Sequence, residues 1–127
     1  MGFVLIAEDD PAIALLLQET IGERLSVETQ VVPNGALVPE AIAARRPDLL
    51  VLDLALPGLS GLDVFDLVRN DRVWAGIPVL FLTANPDNAK RAVASPGIHR
   101  VMGKPFEVDA LCATVAALLL AGSPAAV

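Results

Sequence analysis

The sequence predicts an α/β fold: a doubly wound five-stranded parallel sheet in the order 2-1-3-4-5, with five helices over its two faces. Three observations carry this. Short apolar runs rich in Val, Ile and Leu recur five times along the chain. Longer stretches with apolar residues at helical spacing separate them. Most of the runs are continuous rather than alternating, as strands buried on both faces require. Alternation of this kind makes the strands parallel and the crossovers right-handed.

Each element has its own signal. Residues 3–7 form the first strand. Asp10 is a helix N-cap candidate with Pro11 at the first helical position, and Ile13, Leu16, Leu17 and Ile21 continue as a stripe. Residues 26–32 give a weaker second strand that alternates with polar residues. A second helix starts at Asn34 and runs through residues 36–46, with Pro39 early in it and Pro47 as its stop. Residues 49–52 are the third strand, and residues 60–70 a helix carrying Leu62, Phe65, Leu67 and Val68. Residues 78–82 are the fourth strand. Asn85 and Pro86 open a short fourth helix that halts near Pro96 and Gly97. Residues 98–102 form a fifth strand interrupted by His99 and Arg100, and residues 107–121 a fifth helix with Leu111, Val115 and Leu118 on one face. Residues 1–121 are expected to be one domain, and residues 122–127 a disordered tail.

Composition narrows the function. The 127 residues are 54% hydrophobic and 19% charged, enough for a core and inconsistent with a disordered chain. The net charge of −6 argues against direct nucleic-acid binding, which needs clustered Lys and Arg. One cysteine, Cys112, excludes an intrachain disulfide and a Cys-based metal centre. The first apolar run has no basic flank and meets Glu8 at once, unlike a signal peptide. The longest near-apolar stretch, residues 110–121, is shorter than the roughly 18 residues a membrane span needs. A cytoplasmic location without a membrane partner is expected.

Ligands of such sheets bind beyond the carboxyl ends of the strands. Glu8, Asp9 and Asp10 follow the first strand, Asp53 ends the third, Thr83 follows the fourth and Lys104 the fifth. Asp10 reads as a helix cap. The other residues converge on one rim. Carboxylates brought together there need a proton or a cation between them. An all-oxygen site with water access suits Mg²⁺, and zinc is disfavoured because the only histidine, His99, lies in the fifth strand. A metal beside Lys104 and Thr83 suits a phosphoryl group, and an Asp that attacks phosphorus forms an acyl phosphate.

The sequence resembles the receiver domain of bacterial two-component response regulators. The resemblance rests on VLIAEDDP, LLVLDLALPGLSGLDV, PVLFLTA and VMGKPF, in family order, with Pro57 and Gly61 four and eight residues after Asp53. It covers nearly the whole chain. It implies that Asp53 is the phosphoacceptor, that Asp9, Asp53 and the Ala55 carbonyl bind Mg²⁺, with Glu8 acting through a water, and that Thr83 and Lys104 contact the phosphoryl oxygens. It also implies a cis peptide between Lys104 and Pro105. One departure is Val101, where the family often carries an aromatic residue. Partners implied are a histidine kinase or a histidine phosphotransfer protein. Output is expected through protein contact with a downstream target or in a homodimer, by the face of the fourth helix, fifth strand and fifth helix. No output domain follows, so a stand-alone regulator or a fragment of a longer one is expected. An interaction-only pseudo-receiver is the alternative. A flavodoxin would need a phosphate loop where this chain is acidic, and a haloacid-dehalogenase-like phosphatase would need an acid at Ala55.

Overall fold

The apolar runs become β1 (Phe3–Ala7), β2 (Glu28–Val32), β3 (Leu49–Asp53), β4 (Val79–Thr83) and β5 (His99–Gly103) in the computed structural model, which describes residues 2–89 and 98–122. The sheet order is β2-β1-β3-β4-β5, and every neighbouring pair is parallel. All residues of β1, β3 and β4 are buried. This is why those runs are continuous: helices cover both faces. β2 and β5 are the edges, and β2 keeps polar residues on its outer positions.

Among the described residues the helices are α1 (Pro11–Leu25), α2 (Val38–Ala44), α3 (Gly61–Asn70) and α4 (Val108–Ala121). Successive strand residues point to opposite faces. Leu5, Leu50, Leu52 and Phe81 therefore join Ile42, Val64, Phe65 and Val68 under α2 and α3. Val4, Ile6, Val51 and Leu80 join Leu17, Ile21, Leu111, Val115 and Leu118 under α1 and α4. On α1 the core stripe is Ala14, Leu17 and Ile21, while Leu16 stays 45% exposed, since one residue along a helix turns the side chain by about 100°. On α3, Val64 enters the core and Leu67 faces outward.

Boundaries differ from the sequence expectation for local reasons. Ser26 ends α1 in the left-handed region at φ 53°, so β2 starts two residues later. The second helix is split. The Asn34 carboxamide accepts from the Ala36 N–H at 2.8 Å and opens a 3₁₀ turn at Gly35–Leu37, and the α-helix begins only at Val38. It stops at Ala44, because Arg45 is already extended ahead of Pro47. β5 pairs His99 with Val79 and so runs one residue further than expected. Of the fourth helix, a 3₁₀ turn at Pro86–Ala89 is described; residues 90–97, with Pro96 and Gly97, lie outside the described residues, as do residues 123–127 of the expected tail.

Candidate functional site

Every strand of the inner sheet delivers one polar side chain to the same rim. Glu8 follows β1, and its N–H continues the ladder to the Val32 carbonyl at 3.1 Å. The side chain is turned inward and only 2% of the residue is exposed. Its Oε2 accepts from the Asp10 N–H at 3.1 Å, and its Oε1 accepts from Lys104 Nζ at 2.7 Å. Asp53, the last residue of β3, is 5% exposed. Its Oδ1 accepts from the Ala55 N–H at 3.0 Å and its Oδ2 from Lys104 Nζ at 2.9 Å. One ammonium therefore lies between two buried carboxylates. The cation that the sequence called for is, in the first instance, part of the chain.

Lys104 is placed by β5 and by its own backbone. Its N–H donates to the Thr83 carbonyl at 2.7 Å, and the Lys104–Pro105 peptide is cis, as the resemblance implied. Burial pushes its ammonium toward neutrality, but the hydrogen bonds to Glu8 and Asp53 outweigh this and hold it above the usual lysine range. Burial raises the Glu8 carboxyl above its ordinary value, against the lowering effect of Lys104 and the Asp10 N–H.

Asp9 is exposed, beside the buried pair. Oxygens of Glu8, Asp9 and Asp53 all lie within 4.8 Å of one another, close enough to hold one metal ion. An all-carboxylate donor set open to water on the Asp9 side fits a hard divalent cation. Asp10 stays out of this group: its Oδ1 accepts from the N–H groups of Ala12 and Ile13 at 2.9 and 3.3 Å, the capping role read from the sequence. Thr83 ends β4 at the same rim and is 5% exposed. Its hydroxyl donates to the Asn85 carbonyl and accepts from the Asn85 N–H, both at 3.0 Å. It is thus engaged with its own loop rather than with Asp53.

The β3–α3 loop is held by Gly58, which the sequence reading did not single out, and by Gly61, which it marked eight residues after Asp53. Gly58 has φ 77°, a conformation that favours glycine, and a Cβ there would collide with the Asn34 carboxamide. A Cβ on Gly61 would lie 2.5 Å from the Asp53 carbonyl and 2.8 Å from Leu54 Cα. The loop can therefore pack against the backbone of the rim only with glycine at these places. The Pro-Gly and Asn-Gly pairs are the turn signals that could have pointed to this. His99 is remote from the rim, edge-on to Phe65 and Phe81 at centroid distances of 5.6 and 6.2 Å, with a buried Nδ1 that has no hydrogen-bond partner among the described residues. Cys112 is buried on α4.

Comparison with known proteins agrees with this geometry. Residues 4–116 match the family described as response regulator receiver domain. The DNA-binding response regulator MtrA of Mycolicibacterium smegmatis is 36% identical over 118 residues, 91% of this chain and 50% of that protein. The sensor histidine kinase TmoS of Ectopseudomonas mendocina is 33% identical over 117 residues, 91% of this chain and 12% of that protein. The chain thus spans half, or much less, of the length of these relatives. Among solved structures, the receiver domain of a signal transduction histidine kinase from Syntrophus aciditrophicus superposes with a TM-score of 0.84 at 27% identity, covering 94% of this chain and 91% of that one. The receiver domain of the Francisella response regulator 1452 gives a TM-score of 0.84 at 27% identity, covering 94% and 98%. With the family matched along almost its whole length, the sheet order shared and the acidic rim in place, the chain belongs to the response regulator receiver domain family of two-component phosphorelay signalling.

Proposed function

We propose that Asp53 accepts the phosphoryl group, donated by a histidine kinase or a histidine phosphotransfer protein. The observation that supports this most is the placing of its carboxylate: nearly buried, one oxygen held by the Ala55 N–H and the other by Lys104, beside Glu8 and Asp9. A carboxylate oxygen of Asp53 attacks phosphorus, the bond from phosphorus to the donor breaks, and the donor leaves with the electron pair. Lys104 moves from balancing Asp53 to balancing the phosphoryl oxygens. Thr83 exchanges its hydrogen bond to the Asn85 carbonyl for one to the phosphoryl group. Asp9, Asp53 and the Ala55 carbonyl would hold Mg²⁺, with Glu8 acting through a water. When bound, the ion supplies positive charge to the phosphoryl oxygens.

Small phosphodonors can then charge the domain without a kinase, and self-dephosphorylation is slow. Ala55 and Asn85 stand two residues beyond Asp53 and Thr83, and neither is an acid or base able to activate a water well. Output runs by protein contact through the face of the segment after β4, β5 and α4. The complete set of Glu8, Asp9, Asp53, Thr83 and Lys104 speaks for a phosphorylated receiver rather than an interaction-only one.

Two measurements test this. Asp53→Asn keeps the shape and removes the nucleophile, so intact-mass analysis after incubation with acetyl phosphate and Mg²⁺ should show one phosphoryl group on the wild type and none on the variant. A labelled Asn variant would refute the assignment. Mg²⁺ should raise the melting temperature, with a stabilisation of about 1.4 kcal/mol at roughly ten times its Kd. Asp9→Ala should abolish that rise. A rise that survives in Asp9→Ala would place the ion elsewhere.

A further inference from the structure

β2 ends in Val32, and Pro33, Asn34 and Gly35 follow it. These residues add no carboxylate to the acidic rim. Asn34 and Gly35 grip the β3–α3 loop instead. The Gly35 N–H donates to the Pro57 carbonyl at 3.0 Å. Gly35 is buried, and a Cβ on it would overlap the Leu59 carbonyl. The Asn34 carboxamide, fixed by the Ala36 N–H at 2.8 Å, fills the space where a Cβ on Gly58 would stand. Pro57, Gly58 and Leu59 thus all rest on two residues of the β2–α2 turn. Capping of the 3₁₀ turn explains the bond to Ala36. It does not explain a buried glycine against Leu59, or a glycine at 58 matched to the carboxamide.

From the proposed role of Asp53, on which this rests, we infer that Asn34 and Gly35 are positioning residues for the phosphoryl-transfer site, acting through the Ala55 peptide. Both polar groups of Ala55 matter there. Its N–H holds Asp53 Oδ1 at 3.0 Å, and its carbonyl would face the ion. The buried Leu56 side chain anchors the loop in the core at one point, about which a backbone can still turn. The hydrogen bond at Pro57 is a second anchor. Peptide planes are rigid, and the Pro57 ring locks its own φ. Only a few soft torsions therefore separate the held Pro57 carbonyl from Ala55. Loosening residues 57–59 lets the Ala55 N–H and carbonyl turn together, which misdirects Asp53 and the metal ligand in one movement.

The test separates capping from positioning. Asn34→Ser keeps a capping oxygen but is too short to press on Gly58, whereas Asn34→Asp keeps both the acceptor and the shape. Mg²⁺ affinity is read from the rise of melting temperature with ion concentration. The Ala55 amide is followed by NMR in EDTA, and labelling by acetyl phosphate is timed at sub-saturating Mg²⁺. Asn34→Ser should bind Mg²⁺ about tenfold more weakly, the size typical for a group that orients a metal ligand. Its Ala55 signal should shift without the ion, and its labelling should slow. Asn34→Asp should restore all three. Gly35→Ala should weaken Mg²⁺ binding further, and Asn34→Ser decides the case where Gly35→Ala does not fold. Wild-type Mg²⁺ affinity and an unmoved Ala55 signal in Asn34→Ser would make Asn34 a cap alone and overturn the inference. A wild type that acetyl phosphate does not label overturns the phosphoacceptor reading and this inference with it.

Discussion

At Lys104 one ammonium faces two carboxylates, at 2.7 and 2.9 Å, with Glu8 almost wholly buried. Removing one member of such a group leaves an uncompensated charge. Lys104→Met is therefore expected to cost about 3 kcal/mol in urea unfolding. Adding Glu8→Gln to it should recover a good part, because Asp53 then faces only the exposed Asp9 and no second buried carboxylate. An unfolding midpoint unmoved in the single variant would show that the ammonium does not hold the pair. The site's members were legible in the sequence because each of Asp53, Thr83, Glu8 and Lys104 adjoins the carboxyl end of its own strand. Their pairing was not legible. Nothing in the chain order says that Lys104 reaches past Asp53 to Glu8, 96 residues away. Nor did it show that the Thr83 hydroxyl is engaged with Asn85.

Strands and loops divide by how locally they are encoded. β1, β3 and β4 could be read within a residue because burial on both faces demands unbroken apolar side chains. β2 and β5 were less well bounded. As edges they are partly solvated, and their ends follow from register with their single neighbours. The split of the second helix depended on the Asn34 side chain and on Pro39, which local periodicity averages over. The spacing of Pro57 and Gly61 marked the β3–α3 loop, while its close approach to the rim backbone was visible only in three dimensions. Gly61→Ala tests that approach. Its Cβ needs space now held by the Asp53 carbonyl, so destabilisation of about 1–3 kcal/mol is expected. Labelling by acetyl phosphate should slow with it, because Asp53 must shift. Wild-type stability and rate in this variant would mean that the loop yields without disturbing the rim.

At the scale of the molecule, the two core layers leave one face of α4 without polar cover among the described residues. Leu111, Val115 and Leu118 of α4 are buried as the periodicity required, while Ala113, Ala117 and Leu120 are exposed, Leu120 at 79%. No charged residue follows Asp109. Small side chains permit close approach of another helix, which supports α4 as part of the proposed output surface. Ala113→Glu combined with Ala117→Glu should weaken self-association or target binding about tenfold or more, since a desolvated charge needs a partner. Phosphorylation should stay intact. Sedimentation and binding measurements, with and without acetyl phosphate, read this directly. Association equal to the wild type in both states would locate the output surface elsewhere. Val101, where an aromatic was expected, instead joins the apolar layer of Phe65 and Phe81, with His99 on the same side of β5 two residues earlier.

The ammonium between Glu8 and Asp53 also separates two events in the life of the protein. A nascent chain carries its own counter-ion, so it can reach its native shape before any divalent ion arrives. Chelation would then disarm the domain without unfolding it, and resupply would rearm it without a refolding delay. Circular dichroism should be the same with and without EDTA, while labelling by acetyl phosphate is lost and regained. The supply of divalent ions would set when the domain can be charged, without deciding whether it folds.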